Sequence, residues 1–396
     1  MNRKVEWPRI AALDMLMLCY SFNVAVIGQM FDSIRTAYNL LIAEASLLTS
    51  VQSIGGLAAV ILCILLLDVL NKPKIITISS LIYFALFLAI GFFVPLKLLF
   101  AMFVAMGLFG GVVDTISNSV MAETVSREPE KYINLMHMLF AFGAMVSPVV
   151  AQQINAAAGM NAVFYAFGGF ALIWAVYMAV AFRKNMRSGL VVRRESLRQR
   201  IKSLAGFYRL PGMAQVFVIA VLMSCWQASA MLYTSSMVAK VSGNGADGAL
   251  ALTVFFAGVM LSRLIYSRFA SRFSAGLMLG FSNLTGAALW LAAMLVPGVV
   301  PKIVLIGLSA FMCGNNFPVN ISAACGIAPS HTAAAAGTVM LGSFVATFAF
   351  VPAIGALADA SDLGSALAVA AVPLVVLFPF ALRLHKKVYA AKTDGI

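Results

Sequence analysis

Short polar connections divide this chain into about twelve runs of mostly apolar residues, the first near 10–31 and the last near 365–384. A helix needs about 20 such residues to cross a bilayer. Lipid offers no partner to a backbone amide or carbonyl, so only helices and closed barrels span it. The runs are continuous and lack the period-two alternation of barrel strands, which leaves helices. Composition agrees: 62% of residues are hydrophobic, 10% are charged and the mean hydropathy is +0.97, outside the range of soluble globular chains. The expected fold class is an all-α polytopic membrane protein of about twelve transmembrane helices in two pseudo-symmetric six-helix bundles.

The formal charge of +13 reads as a topology signal rather than a nucleic-acid surface. With both termini placed in the cytoplasm, every Lys and Arg falls on the inner side except Arg35, Lys97, Lys240 and Lys302, a strong positive-inside bias. Nucleic acid is therefore not expected as a partner; anionic membrane lipid is. The tail Met1 to Arg9 lacks a small-residue cleavage site, and the run after it is too long for a signal peptide, so it is expected to stay as the first helix. The expected location is a bacterial cytoplasmic (inner) membrane.

The most hydrophilic stretch, Arg183 to Arg209, carries nine basic residues against one acid, Glu195. It divides the chain into an N-terminal bundle over 1–182, a basic cytoplasmic linker over 183–211 and a C-terminal bundle over 212–396. Within it, Leu197, Ile201, Leu204 and Phe207 recur at helical spacing and suggest an amphipathic helix on the membrane surface.

Cys19, Cys63, Cys225, Cys313 and Cys325 all lie in expected spans without paired or metal-type spacing, so they read as small apolar fillers, and neither metal nor cofactor is expected. The absence of a nucleotide loop, a paired-histidine metal motif and a nucleophile motif argues against an enzyme.

Asp114 stands out in the apolar run Leu98 to Met121. A carboxylate at membrane depth costs roughly 2.5 to 3.5 kcal/mol, so its default reading is functional. Gly107, Gly111, Asp114, Asn118 and Met121 share one helix face, and the glycines permit close approach to a neighbouring helix. His137 lies roughly 8 Å into the returning fifth helix and Asp114 roughly 10 Å from the inner end of the fourth, so the two can share a depth. Shifting the chain by about two hundred residues places Asp114 and Asn118 on Asn316 and Asn320; near-equal shifts bring Ser147-Pro148 onto Val351-Pro352 and Gly56 onto Gly258. A duplicated six-helix unit follows.

Asp114-Thr115 and Asn118 in the fourth span, with Asn134-Leu135, His137, Phe140 and Gly143-Ala144 opening the fifth, resemble the major facilitator superfamily and, within it, the fucose permease-like sugar:proton symporters. The resemblance implies the major facilitator fold and a proton-linked role for Asp114. The chain departs from the family pattern at two places. The Gly-, Asp- and Arg-containing turn after the second span survives only as Asp68, Asn71, Lys72 and Lys74, and the acid of the outer first span has no counterpart, since Asp14 lies near the inner end.

A titratable carboxylate that switches across neutral pH is what proton coupling requires, so Asp114 and His137 are the candidate proton-coupling pair. Spans 1, 4, 7 and 10 line the central cavity in that superfamily. Their polar and aromatic residues Tyr20, Asn23, Asn118, Trp226, Gln227, Tyr233, Asn315, Asn316 and Asn320 are the candidate substrate contacts. Amides, hydroxyls and aromatic faces suit a neutral polyhydroxylated solute. Asp68, Arg263 and Asp359 are assigned gate or structural roles, with Arg263 expected to snorkel or to pair with an acid such as Asp359 on the cytoplasmic face. Asp14 is expected to pair with a nearby basic group. Pro148, Pro318 and Pro352 lie within spans and are expected to kink them.

The reading is a monomeric secondary active transporter working by alternating access, coupling protons to uptake of a sugar or similar small polar solute. A proton-driven efflux antiporter for drugs or metabolites is the alternative. Asp14 near the inner mouth and the 22 Met and 29 Phe would suit it.

Overall fold

The computed structural model describes residues 6–66, 71–125, 129–187, 206–269, 274–328 and 332–393, with the side chains of 129–131, 134, 267–269, 332–333 and 388–393 outside that description. Asp68 and residues 195–205 of the expected surface helix also lie outside it.

The described residues form helices without strands: α1 (Trp7–Gln29), α2 (Phe31–Ala37), α3 (Ile42–Leu66), α4 (Lys72–Ile90), α5 (Leu96–Thr124), α6 (Pro129–Ala181), α7 (Met213–Ser242), α8 (Gly245–Phe269), α9 (Ala275–Leu295), α10 (Val299–Cys313), α11 (Asn316–Ile327), α12 (Thr332–Ala360), α13 (Leu363–Val369) and α14 (Val372–Thr393). Among these residues, 11 stretches are long and apolar enough to cross a membrane. The stretch Leu135–Ala181 holds 47 residues, roughly 70 Å of helix and about twice the hydrocarbon thickness. Gly159 interrupts it with φ 81° and ψ 170°, a conformation open to a residue without Cβ. Counted as two crossings joined at Gly159, it yields the twelve expected runs.

The chain forms two compact units. The first comprises Met1–Tyr38 and Val51–Arg194; the second comprises Asn39–Ser50 and Glu195–Ile396. The start of α3 thus groups with the second unit and the remainder of that helix with the first.

Small residues set the closest helix crossings. In the first unit a Cβ on Gly107 of α5 would overlap the Gln52 carbonyl of α3, and one on Gly111 would lie 2.8 Å from the Ala59 Cβ. In the second unit a Cβ on Gly258 of α8 would overlap the Gly307 carbonyl of α10. The two crossings repeat one device at corresponding places along the chain, as duplication of a six-helix unit requires. Large apolar side chains such as Ile173, Val180, Leu295 and Val300 point outward, where lipid replaces water as their solvent.

Helix ends need partners for their free amides and carbonyls. Asn71 caps α4 by accepting from the Lys74 amide at 3.0 Å, and Ser274 caps α9 by accepting from the Leu277 amide at 3.3 Å. The buried Lys302 ammonium donates to the Ala293 and Met294 carbonyls at 2.6 and 3.2 Å, closing the other end of α9. At the start of α3 the capping position is Leu41, which has no side-chain oxygen. Glu44 reaches back to the Leu41 amide at 2.8 Å, as the acid of a capping box does. Asp359 then accepts from the Ile42 and Ala43 amides at 3.0 and 2.8 Å. Gly355, one turn before it, lets the helices touch, since a Cβ there would lie 3.0 Å from the Ala43 Cα.

Asp359→Ala is therefore expected to lower stability by about 1 kcal/mol, the usual value of a lost cap, and to speed hydrogen exchange at Ile42 and Ala43. Calorimetry and exchange mass spectrometry check both. Gly107→Val is expected to cost about 1 to 3 kcal/mol through overpacking, read as a lowered melting temperature.

Candidate functional site

The polar centre of the first unit forms around α5. Thr115 and Ser117 turn their hydroxyls back to the Gly111 and Asp114 carbonyls at 2.7 and 3.1 Å, which leaves Asp114 and Asn118 as the outward-reaching polar groups of the stripe. Asn118 Oδ1 pairs with His137 Nε2 of α6 at 2.8 Å. The structure thus brings the fourth and fifth spans together through Asn118, one turn beyond Asp114.

On its other flank Asp114 lies within electrostatic range of the Tyr20 and Tyr83 phenols. These rings pack at 5.3 Å between centroids, and Phe140 closes on Tyr20 at 6.1 Å. Gly110 makes room for them: a Cβ there would lie 2.8 Å from the Tyr83 ring and 3.3 Å from that of Tyr20. Asn23, one turn along α1 from Tyr20, is 1% exposed. Its amide faces the Tyr83 hydroxyl, yet neither amide atom completes a hydrogen bond among the described residues. Asn23 is thus enclosed behind Tyr20 rather than open to a solute.

The second unit arranges its counterparts differently. Asn316 and Asn283 of α9 exchange two amide hydrogen bonds, at 2.7 and 2.8 Å, both residues being buried. Asn320 donates to the Val216 carbonyl of α7 at 3.1 Å. Asn315 occupies the break between α10 and α11. That break has a local cause: Pro318 has no amide hydrogen for the Gly314 carbonyl four residues earlier, and Arg263 Nε donates to that carbonyl at 3.4 Å instead. Trp226 packs against Trp290 and Phe255 with centroids 5.5 and 5.7 Å away, and its indole nitrogen is buried without a hydrogen-bond partner among the described residues. Gln227 is half-buried and its amide donates to the Met231 sulfur at 3.8 Å. Tyr233 is fully buried and donates to the Val351 carbonyl at 2.9 Å.

Two expected pairings are corrected. Asp359 does not pair with Arg263, because its carboxylate takes the first amides of α3 while Arg263 serves the break in the tenth span. Successive spans run in opposite directions, so the end of the eleventh and the end of the eighth lie on opposite faces, and the two residues are at opposite depths. Asp14 makes no ion pair among the described residues, and its Oδ1 is buried without a partner; Arg9, the nearest basic group along α1, pairs with Glu6. Of the residues not expected, Tyr83 and Asn283 matter most. Asn283, a buried amide in an apolar span, carries the same signal that marks Asp114.

Because the amide pair is reciprocal, Asn283→Leu alone strands a buried partner and is expected to cost about 1 to 3 kcal/mol, whereas Asn283→Leu with Asn316→Leu approaches neutrality. Thermal unfolding of the two variants checks this.

A family profile described as Major Facilitator Superfamily matches residues 13–249. The chain is similar to sodium-dependent glucose transporter 1 of Rattus norvegicus, at 25% identity over 151 residues, which are 38% of this chain and 31% of that protein; the match therefore spans under a third of that relative. Among solved structures, the fold is similar to a bacterial homolog of the human lysosomal transporter Spinster, seen inward-facing in unoccupied and occupied forms. The TM-score is 0.78 for each, at 14% and 13% identity, covering 98% of this chain and 99% and 98% of those chains.

Proposed function

Because the chain belongs to the major facilitator superfamily, a family of multi-pass membrane transporters rather than enzymes, we propose that it is a secondary active transporter working by alternating access, which couples protons to uptake of a sugar or similar small polar solute. The observation that carries this reading is an asymmetry. In the first unit Asp114, a titratable acid, sits among two phenols and an amide-imidazole pair. At the corresponding places of the second unit stand neutral amides already engaged in helix contacts. A charge at this depth is costly unless it is used, and a carboxylate that can be protonated within lipid carries a proton across without leaving a bare charge behind.

In the first unit Tyr20 and Phe140 offer aromatic faces for the apolar side of a sugar ring, and Asn118 and His137 offer donors and acceptors for its hydroxyls; in the second, Gln227 and Asn315 are polar groups of the same kind. Asn316, Asn320 and Tyr233 are assigned to the frame of the second unit, since their hydrogen bonds hold its helices together. The name of the similar rat protein supports a sugar substrate and raises sodium as a second coupling ion. We place the protein in a bacterial inner membrane with both termini cytoplasmic, on the distribution of its basic residues. A drug or metabolite efflux antiporter is the second reading, favoured by the buried Asp14 carboxyl near the inner end of α1, whose Oδ1 has no partner among the described residues.

The test is solute-driven proton uptake in reconstituted vesicles across a panel of sugars and cationic drugs, with and without a sodium gradient. Asp114→Asn is expected to abolish accumulation against a gradient while retaining counterflow. Accumulation equal to wild type would overturn the role of Asp114. Proton movement driven by cationic drugs and not by sugars would favour efflux.

A further inference from the structure

Asn118 and His137 meet through named atoms, and the chemistry of one fixes the hydrogen of the other. Asn118 Oδ1 lies 2.8 Å from His137 Nε2. An amide oxygen only accepts, so Nε2 carries a hydrogen and donates it. The ring is then either the neutral form with its hydrogen on Nε2 or the imidazolium. Between these two forms the proton is gained or lost at Nδ1.

The packing around the pair supports that geometry. Gly143 lets α6 lie against α1, since a Cβ there would overlap the Ser21 hydroxyl and crowd the Leu18 carbonyl, and Phe140 closes on Tyr20 at 6.1 Å. His137 precedes Gly143 by six residues, about 120° round the helix, so α6 meets α5 with a different face from the one it turns to α1. On α5, Asn118 follows Asp114 by one turn on the same face. Among the described residues the Asn118 side chain makes this one hydrogen bond, and both partners are half-buried. The orientation of the amide has a chemical reason. With its oxygen toward the ring it serves neutral and protonated imidazole alike. Turned round, its N–H would suit only a neutral ring with the hydrogen on Nδ1, and would set donor against donor once that ring became charged.

We propose that Asn118 is a positioning residue for His137, its oxygen pinning the hydrogen of Nε2 so that Nδ1 is the nitrogen that takes up and releases a proton. The only covalent change is at Nδ1, whose lone pair accepts a proton to give imidazolium and later returns it. The amide hydrogens of Asn118 remain for a solute. The inference deepens the coupling role given to His137 and rests on that reading. The titratable groups on the helices packed around His137 are Asp14 and Tyr20 of α1, Tyr83 of α4, Asp114 and Glu123 of α5, and Tyr132 of α6 itself. Glu123 is paired with Lys72, and none of these groups bonds the Asn118 amide among the described residues.

The test needs no solute. Nitrogen NMR of the full-length protein in lipid, labelled at its histidine rings, reads the tautomer directly, because protonated and bare ring nitrogens resonate far apart. The chain has three histidines, and His137→Gln identifies the signals of His137 by their loss. Neutral His137 is expected to carry its hydrogen on Nε2. Asn118→Leu, of similar size but without an acceptor, is expected to lower the ratio of that tautomer to the other by about fivefold to tenfold, the weight of one ordinary hydrogen bond. Asn118→Asp keeps an acceptor at the same reach and is expected to retain the wild-type tautomer, a distinction that a packing role would not produce. Hydrogen on Nδ1 in the neutral wild type, or an Nε2 tautomer undiminished in Asn118→Leu, would overturn the inference while leaving His137 a titrating group. A ring that keeps one protonation state at every pH the protein survives would overturn the coupling role of His137, and the assignment of Nδ1 with it.

Discussion

Lipid cannot complete a hydrogen bond, and the backbone of this protein is arranged around that deficit. At several helix ends and bends among the described residues, a particular side chain takes up what the helix leaves open. Lys302 covers the last carbonyls of α9, Arg263 the carbonyl freed by Pro318, and Asp359 with Glu44 the first amides of α3. Several of the rare charged residues in the spans are thus spent on backbone repair. Asp114 is the exception that matters, because its helix runs unbroken through its position and offers no end for a carboxylate to cap.

Duplication shows more clearly in the close crossings than in the polar residues. Gly107 against α3 and Gly258 against α10 solve the same packing problem in the two units. On that common frame the polar content has diverged. A third-span residue meets the fourth span in the first unit as Tyr83 beside Gly110, and a ninth-span residue meets the tenth in the second as Asn283 bonded to Asn316. The first contact is an aromatic ring against bare backbone, the second two reciprocal amide bonds.

The twelve crossings were legible in the sequence because bilayer thickness imposes a length on every run, and the boundary at Gly159 fell where the polar break suggested. Pro318 was legible as a kink, but the break itself lies at Gly314 and Asn315, because a proline acts on the carbonyl a turn before it. Asp114 drew notice as a charge in an apolar run, Asn118 by sharing its face and His137 by a shared depth; that His137 meets Asn118 could not be read, since spacing gives a shared depth and not a rotamer. Partners far apart along the chain were illegible for the same reason, and Arg263 and Asp359 were each matched to the wrong group. Tyr83 was hidden by its own chemistry: a tyrosine among phenylalanines reads as filler until its hydroxyl is seen beside Asn23.

The cap on α3 also bears on how the protein comes to exist. Asp359 lies 317 residues after the Ile42 amide it accepts from, so on the ribosome the second crossing is made long before the residue that finishes its first turn. Until the eleventh crossing has been inserted, that end of the helix must rely on Glu44 and on the watery edge of the bilayer. Completion of the earliest part of the fold is thereby tied to arrival of one of the latest, and a chain truncated before residue 359 would carry an unfinished helix end from the beginning of its life.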